Sequence, residues 1–202
     1  LLEKGDSVQS LSDVSGRTVV SAGRGSTAEA VAGRLFGEDA SIDYVSEHAE
    51  VVAQAAAEKY DLALLPEPFV TLMLSQDKAF RVALDLTAEW EASGAGLLPM
   101  GGIAVRREFA EKNPKAVEAF LREYAQSVSY VNENPKEAAA LIEKYDILKA
   151  AVAESAIPRA NMVLLVGGEM RAALEAFYAV LLSDNPALLG GALPGDDFYY
   201  AP

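Results

Sequence analysis

The stretch that most constrains the fold is the short apolar run at residues 61–69, Asp-Leu-Ala-Leu-Leu-Pro-Glu-Pro-Phe. The run is too short for a buried helix, and Pro66 and Pro68 prevent a helix from continuing through Glu67 because proline lacks the backbone N–H. We therefore predict a buried strand that stops at these prolines. Pro68 suits the first turn of a helix, so a helix is expected over Phe69–Gln76. Glu67 then lies at the carboxyl edge of the strand, where open α/β sheets bind ligands.

Strand and helix patterns alternate on both sides of this run. Residues 16–22 and 41–46 have the composition of strands, and helices are predicted over residues 28–36 and 51–60. Residues 80–86 read as a fourth strand, whereas residues 1–15 are polar and mixed, with turns expected at Ser12-Asp13 and Ser15-Gly16. Repeated strand–helix units predict an α/β fold with a largely parallel sheet.

The glycine-bearing turn at residues 23–27 offers candidate ligand contacts. Ser26 or Thr27 can cap the following helix, and free amides at a helix start can hold an anionic or polar group, although capping alone is the commoner role. Arg24 is more often a solvated loop charge, but beside Ser26 it would suit a sulfonate or a carboxylate. The turn lacks the third glycine of a dinucleotide turn and the Gly-Lys-Ser/Thr of a P-loop, so no nucleotide cofactor is expected.

The residues after the third strand also have two possible roles each. Glu67 either caps the next helix or contacts a ligand, and both roles are compatible. Phe69 is either a core residue or an aromatic wall of a binding site. The predicted ligand-binding residues are Arg24, Gly25, Ser26, Thr27, Glu67, Pro68 and Phe69.

Catalytic and metal sites are not visible in the sequence. His48 is the only histidine and there is no cysteine, so a histidine-based triad, a multi-histidine metal site and a thiolate zinc site are not expected. No Gly-x-Ser-x-Gly elbow is present, and Trp90 with its flanking glutamates is expected in a solvated turn. We predict no catalytic residue, no metal and no cofactor.

The charge balance limits the partners. Thirty acidic residues against 17 basic ones give a net charge of -13. This disfavours nucleic acid and anionic membrane surfaces, which are bound by clustered Lys and Arg. No apolar run approaches the roughly 20 residues that span a bilayer, so no direct membrane insertion is expected.

Four segments, in this order and spacing, carry a family resemblance: Leu11-Ser-Asp-Val-Ser-Gly-Arg-Thr-Val, Gly23-Arg-Gly-Ser-Thr-Ala-Glu, Leu64-Leu-Pro-Glu-Pro-Phe69 and Gly190-Gly-Ala-Leu-Pro-Gly-Asp-Asp-Phe-Tyr-Tyr200. Together they resemble the nitrate/sulfonate/taurine-type and thiamin-precursor-type substrate-binding proteins of ABC importers. The resemblance implies a type II periplasmic binding fold of two α/β lobes that grip a small polar organic ligand in a cleft and deliver it to ABC permease subunits. It also implies a periplasmic or extracellular location, with a lipid anchor as one option.

The resemblance implies a division of the chain as well. Residues 1–98 would form the second lobe, with the largely parallel sheet. Residues 99–202 would return to the first lobe, as a crossing strand at residues 101–107 followed by helices that begin at Asn113-Pro114 and Asn134-Pro135. In this family a first-lobe portion precedes the second lobe, so we expect this chain to lack it and to expose apolar surface beyond Gly101.

Two alternatives use the same fold. One is an enzyme that resembles thiamin-pyrimidine synthase, although that branch carries a cysteine-rich motif that this chain lacks. The other is a sensory ligand-binding domain, which the sequence does not separate from a transport protein.

Overall fold

The computed structural model describes residues 1–37 and 39–201. The chain divides into two compact units. Unit 1 comprises Leu1–Leu98 and Ala176–Leu193, and unit 2 comprises Pro99–Glu175 and Pro194–Pro202.

In the described residues, unit 1 is built on one mixed sheet of five strands. The strands are β1 (Leu2–Lys4), β2 (Thr18–Ala22), β3 (Ser41–Val45), β4 (Leu62–Ala63) and β5 (Phe80–Val82). Their order across the sheet is β3-β2-β4-β1-β5. β2 pairs in parallel with both β3 and β4, whereas β1 is antiparallel to β4 and β5. The predicted parallel pairing of the strand before the glycine turn with the strand before Glu67 is therefore confirmed.

Helices follow the strands in the predicted alternation. Those that lie wholly in unit 1 are α1 (Thr27–Phe36), α2 (His48–Ala56), α3 (Phe69–Gln76) and α4 (Leu86–Ala92). The helix predicted after Pro68 has the predicted bounds. The helix predicted over residues 51–60 begins earlier, at His48, and ends at Ala56, just before Glu58 adopts a positive φ of 59°.

The sheet separates two apolar clusters of unit 1, and a third cluster is built around Trp90. One cluster includes Leu2, Val20, Val51 and Met73, and another includes Val8, Val14, Val19 and Leu62. The alternate residues Val19 and Val20 of β2 thus face different clusters, as side chains of a strand point to opposite faces of a sheet. Because both faces of the sheet are covered, a strand can be apolar at consecutive positions. This explains the continuous apolar run that follows Asp61.

The sequence analysis missed a strand at the start of residues 1–15, which it described as polar and mixed. Residues 2–4 form β1, a strand inside the sheet, and Leu1 and Leu2 are buried. Glu3 misled the sequence reading because a charged residue normally argues against a buried strand. Its carboxylate accepts hydrogen bonds from the amide nitrogens of Ser7 and Val8, at 3.1 Å each, and ion-pairs with Arg81 at 2.8 Å. These partners satisfy the buried charge.

The prediction of a solvated turn at Trp90 was also wrong. Trp90 lies in α4, is 0% exposed, and packs against Phe177 with ring centroids 5.7 Å apart. The flanking residues Glu89 and Glu91 point to other sides of the helix, so their charge says nothing about the face that Trp90 occupies. The fourth predicted strand is shorter than expected, because Asp85 caps α4 by accepting from the Thr87 and Ala88 amides.

Unit 2 is helical over the residues that the structure describes. Its helices are α5 (Arg107–Lys112), α6 (Pro114–Glu133), α7 (Pro135–Lys144), α8 (Ala150–Ala156) and the first part of α9 (Gly167–Asp184). Pro114 and Pro135 occupy the first helical positions of α6 and α7, as predicted from the two Asn-Pro pairs. The one apolar cluster described in unit 2 is small and rich in alanine: Ala138, Ala139, Ala153 and Ile157.

The predicted strand at residues 101–107 is not formed. Residues 101–106 carry no regular secondary structure, and α5 begins at Arg107. A β-branched segment becomes a strand only when another backbone lies beside it, and the described residues of unit 2 contain no strand. Unit 2 also holds most of the large exposed apolar side chains of the described residues, in agreement with the expected exposure of apolar surface beyond Gly101. No helix in the described part of the chain is both long enough and apolar enough to cross a bilayer.

Candidate functional site

The candidate site lies at the carboxyl edge of three neighbouring strands of unit 1. β2 is flanked by β3 and β4, and all three run in parallel, so the segments that follow them emerge at the same edge of the sheet. Two of these segments are the glycine loop, defined here as residues 23–26, and the Pro66–Pro68 turn. The third is the start of α2 after β3. Strands lie about 4.8 Å apart, so the three segments are close neighbours.

The glycine loop is shaped by its first residue. Gly23 has a φ of +85°, and a Cβ added there would lie 2.6 Å from Ser26 Oγ, so a side chain is excluded. The Gly23 carbonyl accepts from the Ser26 amide at 3.0 Å, which closes the turn. Ser26 then caps α1, with its hydroxyl accepting from the Ala28 amide at 3.2 Å. Of the two predicted caps, Ser26 is the one used.

Glu29 completes the loop from the first turn of α1. Its carboxylate accepts a hydrogen bond from the Gly25 amide. The Glu29 carboxylate lies in the first turn of α1, where the positive end of the helix dipole favours a negative charge. The Thr27 amide has no acceptor among the described residues, as is usual for the first position of a helix.

Arg24 places a positive charge at this edge of the sheet. Its guanidinium carbon lies 4.9 Å from the centroid of the Tyr44 ring on β3, a cation–π geometry. Within the described part of the chain, no carboxylate lies within ion-pair distance of Arg24, and the side chain is exposed. Partial burial raises the pKa of the Tyr44 hydroxyl, as does the nearby Glu29 charge, whereas Arg24 opposes the rise. Tyr44 is therefore neutral at physiological pH.

Glu67 caps the helix that follows it. Its carboxylate accepts from the Thr71 amide at 3.1 Å, and Pro68, joined to it by a cis peptide bond, is the N-cap residue of α3. The capping role that the sequence suggested for Glu67 is therefore present. Its role as a ligand contact stays a prediction.

Phe69 and His48 bring the starts of α3 and α2 together. Their rings stack with centroids 5.1 Å apart and 26° between the planes, and both residues are half-buried. His48 is the first residue of α2, and its ring covers that of Phe69. Sequence reasoning missed His48 and Tyr44 as members of this edge. The available signal was their position at or just after the end of β3.

The edge therefore combines one exposed cation, a neutral tyrosine, two carboxylates engaged with backbone amides, and a stacked aromatic pair. Such a set can bind a polar group beside an apolar surface. Among the described residues, no cluster of three or more His, Cys, Asp or Glu side chains could hold a metal ion.

Solved structures of similar fold include an ABC transporter protein from Parabacteroides distasonis, with a TM-score of 0.72 and 22% identity over 92% of this chain and 66% of that one. The periplasmic aliphatic sulphonate binding protein SsuA from Escherichia coli matches with a TM-score of 0.71 and 21% identity, over 93% of this chain and 64% of its own. The alkanesulfonate-binding protein SsuA from Xanthomonas axonopodis pv. citri, bound to MOPS, has a TM-score of 0.57 and 18% identity, over 89% of this chain and 63% of its own.

These likenesses establish the type II periplasmic binding fold. The chain spans less than two thirds of the length of the two SsuA proteins and 66% of the Parabacteroides protein. No curated protein sequence matches the chain. The sequence model of the menaquinone biosynthesis family, VitK2_biosynth, matches residues 4–182. Because this match covers most of the chain, the protein belongs to the menaquinone biosynthesis family.

Proposed function

We propose that this protein is the solute-binding component of an ABC import system. It binds a small polar organic ligand at the carboxyl edge of β3, β2 and β4 and delivers it to membrane permease subunits. On this proposal it works in the periplasm or outside the cell. Residues 1–98 make up the second lobe of the binding protein, and residues 99–202 belong to the first.

The observation that carries the proposal is the exposed guanidinium of Arg24. Among the described residues this charge has no carboxylate partner, and over the Tyr44 ring it is available to an incoming group. The carboxylates of Glu29 and Glu67, by contrast, already accept backbone amides. An anionic group on the ligand is therefore favoured over a cationic one at this position. The fold neighbours support the proposal, because the two SsuA proteins are named for sulphonate binding.

Calorimetry with ethanesulfonate and choline tests the proposal with one anionic and one cationic probe. We expect binding of ethanesulfonate and at least about tenfold weaker binding by Arg24→Gln, because a charge-assisted hydrogen bond is lost. Lys59→Gln is the matched control, since Lys59 also lies over a tyrosine ring, that of Tyr60 at 5.2 Å, but beyond the end of α2. Equal affinity of wild type and Arg24→Gln would contradict the role of Arg24.

Glu67→Gln separates the two roles of the carboxylate. A capping residue that does not touch the ligand leaves the affinity for ethanesulfonate within about twofold and lowers the free energy of unfolding by about 1 kcal/mol. A larger change in affinity, with the fold intact, would assign Glu67 to the ligand. For Arg24→Gln we expect the opposite result: weaker binding of ethanesulfonate and little change in the free energy of unfolding.

The second candidate is an enzyme of menaquinone biosynthesis, which the family match over residues 4–182 favours. The two functions differ in what happens to the small molecule. We would incubate the protein with a small-molecule extract of menaquinone-producing cells and follow the extract by mass spectrometry. A compound that is retained one-to-one and released unchanged supports binding, whereas catalytic conversion of a compound into a product of different mass supports the enzyme.

A further inference from the structure

The three helix starts at the candidate site are each closed by a glutamate of the protein itself. At each start a carboxylate accepts a hydrogen bond from a backbone amide four residues away. The pairs are Glu29 with Gly25, Glu50 with Ser46, and Glu67 with Thr71. Amides near a helix start lack partners inside the helix and are suited to hold anions. The protein's own carboxylates therefore occupy amides that an anionic ligand could use.

Glu29 differs from the other two glutamates because it shares its loop with the cation of the site. Arg24 directly precedes Gly25, whose amide donates to Glu29. Burial raises the pKa of the Tyr44 hydroxyl, the Glu29 charge adds to this rise, and Arg24 opposes it. Both charges therefore act on the same tyrosine. An anionic group that approaches Arg24 is attracted by the guanidinium and repelled by the Glu29 carboxylate.

The Gly25 amide is accessible to a ligand. Gly25 is exposed and has a φ of +78°, and beyond its chain neighbours no atom of the described residues lies within 4 Å of the position that a Cβ would take. A ligand can therefore approach this backbone closely. Among the described residues, the bond from the Gly25 amide is the only hydrogen bond of the Glu29 side chain. A ligand that takes over this amide leaves the carboxylate able to turn toward solvent.

We propose that Glu29 is a specificity-determining residue of the candidate site. Its carboxylate occupies the Gly25 amide, and the anionic group of the ligand displaces it to contact both this amide and Arg24. The inference rests on the function proposed above. Because the displaced carboxylate remains near the ligand, it opposes binding in proportion to the negative charge that the ligand carries. Glu29 therefore favours singly charged anions over doubly charged ones.

Calorimetry with ethanesulfonate and ethane-1,2-disulfonate tests the role of Glu29. Glu29→Gln keeps the size of the side chain and an oxygen that can accept from Gly25, but it removes the charge. We expect this variant to bind ethanesulfonate at least about fivefold more tightly than wild type, and the disulfonate to gain by a larger factor. Both gains should shrink as salt is added, because salt screens the repulsion. If Glu29 only shaped the loop, its replacement would weaken binding instead.

Asp13→Asn is the matched control for the lost charge. Asp13 is exposed and also accepts backbone amides, those of Gln9 and Ser10, but it lies in the turn before β2 and so at the opposite edge of the sheet. We expect this variant to leave the affinity for ethanesulfonate within about twofold of wild type. An equal gain for Asp13→Asn and Glu29→Gln would show that the net charge of the protein sets the affinity, which would overturn the inference.

Nuclear magnetic resonance follows the Gly25 amide itself. In isotope-labelled wild type, titration with ethanesulfonate should shift the Gly25 amide resonance, because its acceptor changes from the Glu29 carboxylate to the sulfonate. The Thr87 amide is the reference. It donates to the Asp85 carboxylate at 3.0 Å at the start of α4, and its resonance should not shift.

The outcomes separate this inference from the function on which it rests. The inference alone is overturned if wild type binds ethanesulfonate through Arg24, but Glu29→Gln binds it no more tightly or the Gly25 resonance does not shift. An unchanged preference between the two sulfonates in Glu29→Gln would overturn it as well. If neither wild type nor Glu29→Gln binds ethanesulfonate, the proposed function and the inference both fail.

Discussion

The two units of this chain differ in how they bury apolar side chains. Unit 1 has a sheet covered on both faces and three apolar clusters that contain large side chains such as Leu2, Met73 and Trp90. Unit 2 has helices around one alanine-rich cluster and carries most of the large exposed apolar side chains of the described residues. Burial of apolar area is the main stabilising term in folding. Most of the stability held within residues 1–202 therefore resides in unit 1.

The largest expected effect comes from Trp90→Ala. The substitution removes the centre of the cluster that holds Val31, Phe177 and Leu181, and it should lower the free energy of unfolding by about 3–5 kcal/mol. The indole Nε1 has no hydrogen-bond partner among the described residues, so the loss comes from packing and the resulting cavity. Urea unfolding measures it.

The control for Trp90→Ala is Tyr145→Ala in unit 2. Tyr145 is 68% exposed, so its truncation should change the free energy of unfolding by less than about 0.5 kcal/mol. Equal effects of the two substitutions would break the contrast between the units.

The next largest effect concerns the buried carboxylate of Glu3. Burial raises the pKa of this group, but hydrogen bonds from Ser7, Val8 and Arg17 outweigh burial and lower the pKa from 4.5 to about 2. Glu3→Gln keeps the shape and removes the charge that Arg17 and Arg81 face. We expect a loss of about 2–3 kcal/mol in unfolding free energy at pH 7, because two guanidinium groups lose their carboxylate and a buried hydrogen-bond set is weakened.

The role of Glu3 also predicts how the free energy of unfolding changes with pH. A carboxylate whose pKa is lower in the folded than in the unfolded chain stabilises the fold above the unfolded value, and the contribution disappears as pH falls. Wild type should therefore lose this contribution between about pH 4.5 and about pH 2. Glu3→Gln should show a smaller loss over that window in urea titrations. Parallel pH profiles of wild type and variant would contradict the assigned role of Glu3.

The smallest effect is expected on the exposed surface of unit 2. Phe120→Ala in residues 1–202 should leave the free energy of unfolding within about 0.5 kcal/mol of wild type, because Phe120 is 47% exposed and stacks on the ring of Tyr124, which is itself exposed. The matched variant Phe36→Ala removes a buried phenylalanine of α1 and should lower it by about 3 kcal/mol or more. A large loss for Phe120→Ala would show that unit 2 has a stabilising core that depends on α6.

The elements that sequence reasoning located well have strong local signals. Proline at the starts of α3, α6 and α7 marked those helices, because proline cannot be accommodated inside a helix but fits its first turn. Ser26 and Gly23 marked the loop before α1, because a cap and a positive φ each require a particular residue type. The glycine loop and the Pro66–Pro68 turn, two of the three segments of the candidate site, could therefore be predicted from the sequence.

The elements that sequence reasoning missed depend on residues that are distant in the sequence. β1 contains a glutamate whose charge is compensated by Arg17 and Arg81, and both lie far from it in the sequence. Residues 101–106 have no strand beside them among the described residues of unit 2. His48 and Tyr44 belong to the candidate site because β3 lies beside β2, which no local pattern reveals.

The alternation of strands and helices, the helix starts, the glycine loop and the Pro66–Pro68 turn follow from local sequence, because each depends on backbone preferences within a few residues. Long-range packing places Trp90 in the core, Glu3 within the sheet, Arg24 over Tyr44 and His48 over Phe69. Burial and charge compensation depend on which segments meet in space. A residue's own neighbours in sequence do not specify those partners.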